Sequence, residues 1–583
     1  METFHRIERQ LQATISKDIA CREWHSSIIL EGSASCWDDV VKAGRLAAGK
    51  GYKGVVNRVT IPGLVLPELR KPLLRDGFLE GRRVDALVIG GGIIGCAIAR
   101  ELSKWNISVL LAEKEDDVAM HTTSRNDGMV HPGFEPKPGT KKAIYNVRGN
   151  QMYEQIAKDL DVPFKRTGST ILYDKKWMRL LIPAFRLRAH QNRVPGMRHM
   201  APDELHAREP YLNDDIAGAL YLPSTGHISP YKTAIAYAEN AVMNGAEVSL
   251  NTAVLSMEKQ HNRITSVLTN RGRIFPRVVI NAAGVCSDII ANMADDQFFS
   301  IHPRKGQMAY LDKKKGFLLY SVVAMPSIGT VHGTTKGGGL VKTVDGNILV
   351  GPDAEEQPFR EDYTTCRDNM QAILAKHLPL IPALSPADVI NYSAGVRAAT
   401  YEEDFIIEAS EYVENLVHAA GIQSPGLASA PAIAVDIEKI ACSLLSKEMQ
   451  VTLKLNWNPI RKAIPHPAEM NEEARNALIR LRPEYGKIVC RCEEVSEGEI
   501  IDALQSPVPA ANVDAVKRRV RAGMGRCQGG FCQSSIMRIL HEQTGVSLDQ
   551  ITKKGRDSFV LAKETKLPSE PEADQTNRNQ EVS

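Results

Sequence analysis

Three glycines, Gly90, Gly92 and Gly95, stand in a G-x-G-x-x-G arrangement. They follow an apolar run at residues 84–89, broken only by Asp85, and precede a stretch that reads as helix over 96–104. A second apolar run at 107–112 closes on Glu113, 23 residues beyond Gly90. Glycines at this spacing allow a tight turn, close approach of backbone to a pyrophosphate, and close packing of helix on strand. The helix start offers amide donors and a positive dipole end to the phosphates. An acid ending the second strand can accept hydrogen bonds from ribose hydroxyls. That acid disfavours a 2′-phosphate, so FAD or NAD fits better than NADP. Strand, turn, helix, strand and acid agree on a dinucleotide site; a purely structural glycine turn is the alternative.

The next stretch, M-H-T-T-S-R-N-D-G-M-V-H-P-G at 120–133, is rich in hydroxyls and ends in an apolar pair and a histidine. Thr123, Ser124, Arg125 and Asn126 could grip a pyrophosphate and a flavin edge. Residues 122–124 are equally good helix caps, and the residues alone do not choose. Far downstream, Cys490 and Cys492 form C-x-C, and after 34 residues Cys527 and Cys532 form C-x4-C. Four thiolates can hold a [2Fe-2S] cluster or a zinc ion. Zinc sites favour C-x2-C pairs, which this module lacks. Gly525, Gly529 and Gly530 would let amides approach the sulfurs. A basic stretch at 516–524 reads as helix, with Arg518, Arg519, Arg521 and, just beyond, Arg526. Its charge could offset that of a cluster, face a partner, or simply be solvated. Cys96, Cys286 and Cys442 lie in apolar segments and read as packing residues.

These motifs must be carried by a chain of 583 residues, which at roughly 150 residues per domain suggests three to four domains. Apolar residues make up 43% and charged residues 24%, ordinary globular usage that excludes a disordered chain, a fibrous repeat or a small disulfide scaffold. A net charge of +3 gives no electrostatic footprint for nucleic acid. The first 30 residues lack the apolar core of a secretory signal. The longest charge-free window, 416–435, is broken by Pro425 and Pro431 and is no membrane span. The expectation is a cytoplasmic protein without disulfides.

Residues 1–81 give no chemical motif beyond a possible helix at 37–48, and read as a cap or interface arm. Strand signals at 216–222, 246–250, 264–268 and 277–281, with a helix at 231–244 ended by Gly245, extend the nucleotide fold. The expected architecture is an α/β, Rossmann-like FAD-binding domain from 82–150, 226–296 and 392–447. An α+β substrate domain from 151–225 and 297–391 is inserted into it. A linker at 448–485, carrying one helix at 467–481, leads to a small helical [2Fe-2S] domain at 486–540. A tail at 541–583 follows, disordered from about Leu567.

Five segments occur in order: the strand–glycine turn–helix; T-S-R-N-D-G-M-V-H at 123–131; V-I-N-A-A-G at 279–284; S-A-G-V-R at 393–397; and H-A-A-G-I-Q-S-P-G at 418–426. That order resembles the D-amino-acid-oxidase-type FAD oxidoreductases. With the cysteine domain, the chain is most similar to the catalytic subunits of the anaerobic glycerol-3-phosphate dehydrogenases. L-2-hydroxyglutarate oxidoreductases are similar over the flavin part. The resemblance covers about residues 82–560.

The resemblance implies that Ala283 and Gly284 approach the adenosine side of FAD. It implies that Gly421, Ile422, Gln423 and Ser424 line the flavin, before a helix whose positive end faces it. It places Arg397 on the anionic group of a small substrate, where a guanidinium fork fits carboxylate or phosphate. A salt bridge to Glu402, Glu403 or Asp404 is the alternative. His131 is the candidate base for the hydroxyl proton, with His227 and Lys305 as weaker candidates. Ser229 departs from the family pattern after His227. The implied activity is oxidation of sn-glycerol 3-phosphate, with electrons leaving through the cluster to a partner subunit, a second flavoprotein or a membrane-associated protein. A dehydrogenase for L-2-hydroxyglutarate or amino acids, or a non-catalytic relay subunit, are the alternatives.

Overall fold

The computed structural model describes residues 3–325 and 337–562. The tail expected to be disordered from Leu567 lies outside the described residues, as do residues 326–336 of the insertion.

The chain opens with α1 (Thr3–Thr14), β1 (Ala20–Trp24), β2 (Ser27–Ser33), α2 (Trp37–Ala47) and β3 (Gly54–Thr60). β1 pairs antiparallel with β2, and β2 parallel with β3 through the α2 crossover. Ile7, Leu11, Ile28, Leu30, Val40 and Val55 close a core of their own that also takes in Tyr401. Residues 1–81 are thus mainly a small folded α/β layer. It docks where the Val55 amide donates to Glu402 Oε1 (2.8 Å) and Asn57 donates to the Tyr401 hydroxyl (2.9 Å).

β4 (Arg82–Ile89), α3 (Ile93–Leu102) and β5 (Val109–Ala112) form the parallel β–α–β unit the glycines announced. α3 begins three residues earlier than the sequence expectation. The third glycine lies inside its first turn, where a Cβ on Gly95 would fall 1.8 Å from the Gly90 carbonyl oxygen. β4 pairs on its other side with Gly272–Asn281, which in turn pairs parallel with Leu416–Ala420. One face is covered by α3, Pro230–Met243 and Gly426–Leu445, packed into a continuous apolar core.

The second domain is a nine-stranded mixed sheet. Its longest pairing, Ile301–Leu311 against Val389–Thr400, runs unbroken past residue 392. Arg397 therefore belongs to this sheet, and the strand itself delivers it to the cleft between the domains.

Residues 448–463 run along the FAD-binding domain, with Arg461 paired to Glu239 (2.6 Å), whereas His466, Arg482 and Tyr485 bond to Glu499 and Asp502 of the cysteine domain. The helix expected at 467–481 is split into a short turn, Pro467–Glu469, and Glu472–Leu481, because Asn471 caps the second piece through the Ala474 amide (2.9 Å). The cysteine domain holds helices Glu497–Leu504, Val513–Val520 and Gln533–Thr544. Its basic helix stops at Val520 and does not reach 524, since Arg521 turns left-handed (φ 66°) and Gly523 follows at φ 90°. No helix among the described residues is long and apolar enough to cross a membrane.

Candidate active site and iron–sulfur site

A cavity of about 800 Å³ runs from the glycine turn to the cleft between the two domains. Gly90 (φ 110°) opens it: a Cβ there would lie 2.5 Å from the Ala282 carbonyl oxygen. Only a bare backbone passes, and that leaves the start of α3 open to a phosphate group. Gly92 lines the cavity, whereas Gly95 packs behind it. Glu113 accepts from the Gly91 amide (2.5 Å) and the Glu115 amide (2.9 Å). Burial raises its pKa despite those amides.

The hydroxyl-rich stretch folds as a single turn, Thr122–Ser124, braced on all sides. Thr123 lines the cavity and accepts from the Ile93 amide at the start of α3 (3.0 Å). The cap it forms is therefore on a distant helix. Ser124 faces away and donates to the Ala119 carbonyl. Arg125 and Asn126 line the cavity; Arg125 sits 4.2 Å from the Tyr363 ring centroid, and Asn126 donates to the Thr123 carbonyl (2.8 Å).

On one wall of the cavity stand Ala283 and Gly284; Ile422, Gln423 and Ser424 line it as well. Gly421 supports them from behind at φ 64°, where a Cβ would meet Thr400 at 2.7 Å. Gly426–Leu445 starts there and presents its N-terminus to the cavity. Gln423 is held by two ionic groups: it accepts from Arg304 (3.2 Å) and donates to Glu403 (2.6 Å).

Of the four substrate-site candidates, the structure brings His131 and Arg397 to this cavity. The Asn146 and Asn150 amides fix the His131 backbone by donating to its carbonyl (2.6 and 2.9 Å). Arg397 donates to the carbonyl oxygens of Asp353 (3.0 Å) and Lys305 (3.4 Å). None of the three nearby acids holds it: Glu403 pairs with Arg304, Glu402 accepts from Val55, and Asp404 accepts from the Lys141 and Lys142 amides. Burial without a carboxylate contact lowers its pKa. A Cβ on Gly306 would lie 2.4 Å from Arg397 Nη2, so glycine leaves room for the fork.

His227 and Lys305 do not line the cavity. His227 is buried on Gly226–Ile228 with Nδ1 3.0 Å from the Thr167 hydroxyl, and burial pushes its pKa down to about 4. Lys305 pairs with Asp362 (3.0 Å) on the other face of its strand. Residues 68–71 and Arg75, which sequence reasoning left without a role, line the cavity at its Glu113 end. The cation spacing R-K-P-L-L-R at 70–75 was the available signal.

In the C-terminal domain the four predicted thiols converge. Sγ of Cys492 lies 3.9 Å from that of Cys490 and 3.7 Å from that of Cys527, and the Cys490 and Cys532 thiols are hydrogen-bonded to each other. None is in a disulfide. A Cβ on Gly525 would lie 2.4 Å from Cys492 Sγ, and the Phe531 and Gly529 amides point to Cys527, lowering its pKa despite desolvation. Sulfur donors, glycine clearance and amides together fit an iron–sulfur cluster.

The arginines of the basic stretch, for which the sequence leaves cluster balance, a partner and solvent open, face the other domains. Asp117, at the end of the loop after β5, accepts from Arg518 (2.7 and 3.0 Å) and Arg519 (2.9 and 3.0 Å), all buried. Arg521 binds Asp345 (2.8 Å) and Asn347 (3.0 Å) of the substrate domain. A second cavity, about 220 Å³, lies in this junction and shares Arg125, Asn126 and Asp127 with the first. The cysteine domain is thus seated against the wall of the large cavity.

Residues 85–438 match the FAD dependent oxidoreductase family, and residues 488–542 match the BFD-like [2Fe-2S] binding domain. The chain is 40% identical to a glycerol 3-phosphate dehydrogenase of Caloramator mitchellensis over 83% of this chain and 99% of that one. It is 31% identical to a glycerol 3-phosphate oxidase of Mycoplasma pneumoniae over 64% of this chain and 97% of that one. Among solved structures, a dithionite-reduced L-alpha-glycerophosphate oxidase from Mycoplasma pneumoniae with FAD bound superposes with a TM-score of 0.59 at 29% identity. That match covers 65% of this chain and 99% of that chain.

Proposed function

The chain belongs to the FAD-dependent oxidoreductases and carries a BFD-like [2Fe-2S] domain, and from that premise we propose that it oxidises sn-glycerol 3-phosphate to dihydroxyacetone phosphate. The observation that carries this reading is one cavity joining the glycine turn, the Gly426–Leu445 N-terminus, His131 and Arg397. Arg397 takes two phosphate oxygens in its planar fork, a geometry lysine cannot copy. His131 accepts the proton of the C2 hydroxyl as the C2–H bond gives up its electron pair. When bound, FAD supplies the two-electron acceptor and the cluster a one-electron exit. The Gly426–Leu445 N-terminus stabilises negative charge at its end of the cavity. A relay subunit would need neither the anion fork nor the base. Electrons leave to an acceptor protein, a second flavoprotein or a membrane-associated subunit.

The test is an anaerobic titration of the holoprotein with sn-glycerol 3-phosphate. Bleaching of flavin and iron–sulfur absorbance together is the expected result. Bleaching by L-2-hydroxyglutarate or an amino acid, and not by the phosphate, would replace the substrate. No bleaching by any of them would favour the relay.

A further inference from the structure

We infer that residues 68–75 are a built part of the dinucleotide site and hold the adenosine half of the cofactor from outside the nucleotide fold. The inference rests on the cavity being the FAD site. Glu68, Leu69, Arg70, Lys71 and Arg75 line the same cavity as Gly90 and Glu113. They come from the connection between β3 and β4, not from the fold that carries the glycine turn.

The segment is fastened in place. The Arg70 guanidinium donates to both Glu115 oxygens (3.0 Å each), and its backbone amide donates to Glu361 (2.8 Å). Further on, the Leu74 carbonyl accepts from Asn270 (2.7 Å), and Asp76 takes Arg271 (3.1 and 3.0 Å). Glu115 also meets His121 (2.8 Å), and Glu361 meets Lys114. His121, Glu115 and Glu361 lie close enough to hold a cation. Arg70 and Lys114 already neutralise the two carboxylates, so the cluster serves as the knot that ties the segment down.

The adjoining wall is the end of β5 and the loop that follows it, to which Arg70 is bonded. Thr252 donates its amide to the Glu113 carbonyl (2.7 Å), and Asn251 to that of Glu115 (2.8 Å). Thr252 and Val254 line the cavity there. The segment thus faces the acid assigned to the ribose. Lys71 and Arg75 have no ion-pair partner among the described residues, although they edge a cavity whose ligand is a pyrophosphate dianion. Two unpaired cations at the mouth of an anion site are complementary to it. Holding the ligand by a fastened wall, at little further ordering cost, slows its escape more than its entry.

The test uses full-length protein, wild type, Arg70→Gln, and the double variant Lys71→Ala/Arg75→Ala, as FAD-loaded holoprotein for release and as apoprotein stripped from it for ADP binding. The double variant alters only exposed side chains, so its fold is safe if Arg70→Gln proves unstable. Two quantities are read: FAD release by recovery of flavin fluorescence, and ADP affinity by calorimetry. The variants should release FAD at least tenfold faster and bind ADP about tenfold more weakly. Unchanged release in the double variant would overturn the inference. So would faster release with ADP affinity unchanged, since the effect would then lie away from the adenosine. Wild-type protein that binds neither FAD nor ADP would refute the cofactor reading itself.

Discussion

Asp117→Asn tests whether the cysteine domain is clamped or merely tethered. Asp117 is fully buried, and its two oxygens accept four hydrogen bonds from Arg518 and Arg519 of the cysteine domain. An amide can accept at one position only and carries no charge. Removing one partner of a buried ion pair costs about 3–5 kcal/mol. The undocked domain can hydrate both guanidinium groups, so the cost falls on the docked state. The docking constant should then drop roughly 10²- to 10³·⁵-fold, at 1.4 kcal/mol per decade. The ties that remain are Arg521 to Asp345 and Asn347, Asn512 to Asp116, and the exposed Arg526 to Asp312 (2.8 Å), of which the last belongs to a class of pair contributing about 0–1 kcal/mol. Electron tunnelling falls steeply with distance, so internal transfer reports docking directly. In anaerobic stopped-flow with sn-glycerol 3-phosphate, flavin bleaching should keep its rate within about twofold, given normal flavin content. Bleaching of the iron–sulfur bands should slow at least tenfold, and residues 448–485 should become a site of limited proteolysis. Arg518→Gln/Arg519→Gln should reproduce this from the other side. Wild-type rates of iron–sulfur bleaching in both proteins would refute the clamp.

Three further outcomes follow from the same geometry. Arg397→Lys loses the fork and should raise KM about 10- to 100-fold for sn-glycerol 3-phosphate, equivalent to about 1.5–3 kcal/mol for a charged hydrogen bond, with little change in kcat; an unmoved KM would remove the anion role. His131→Gln should lower kcat about 10²- to 10⁴-fold while FAD and cluster spectra stay intact; a fall in KM alone would argue against a base. Burial raises the Glu402 carboxyl to about 7. A raised acid holds its proton in the folded state while the unfolded chain releases it, so this group's contribution to stability falls as pH climbs from about 4.5 to about 7 and is gone above. Glu402→Gln can still accept from Val55, and should melt with a shallower decline across pH 5 to 7 than wild type; parallel declines would exclude Glu402 as the cause.

The parts of the site legible in the sequence are those where backbone geometry leaves one residue type. Gly90 and Gly95 stand where a Cβ would strike a carbonyl oxygen, and among the side chains only cysteine supplies the thiolates that the four converging sulfurs provide. What stayed hidden depends on partners remote in sequence or on a one-residue step. Lys305 and Gly306 are neighbours on one strand, and successive residues of a strand face opposite sides. Gly306 lines the cavity and Lys305 reaches Asp362, so a candidate one place off lands on the wrong face. Arg518 and Arg519 read as solvated or cluster-facing because their partner lies some 400 residues upstream. The first 81 residues carry no chemical motif of their own; their cavity-lining part acquires meaning only when folded onto Glu115.

That placement converges on a single loop. The five residues Glu113, Lys114, Glu115, Asp116 and Asp117 leave β5 together and each takes a different task. Glu113 turns to the glycine loop, Lys114 to Glu361 of the substrate domain, and Glu115 to Arg70. Asp116 takes Asn512, and Asp117 takes Arg518 and Arg519. Four acids in five residues repel one another unless each is neutralised or hydrogen-bonded, and the cations from outside the loop come from two separate parts of the chain, Arg70 and the Arg518–Arg519 pair. The N-terminal segment and the cysteine domain, both outside the nucleotide fold, therefore fix their positions on the loop that carries Glu113. Their attachment is registered against the cofactor cavity itself. A loop built this way keeps the cysteine domain and residues 68–75 in one fixed relation to the large cavity.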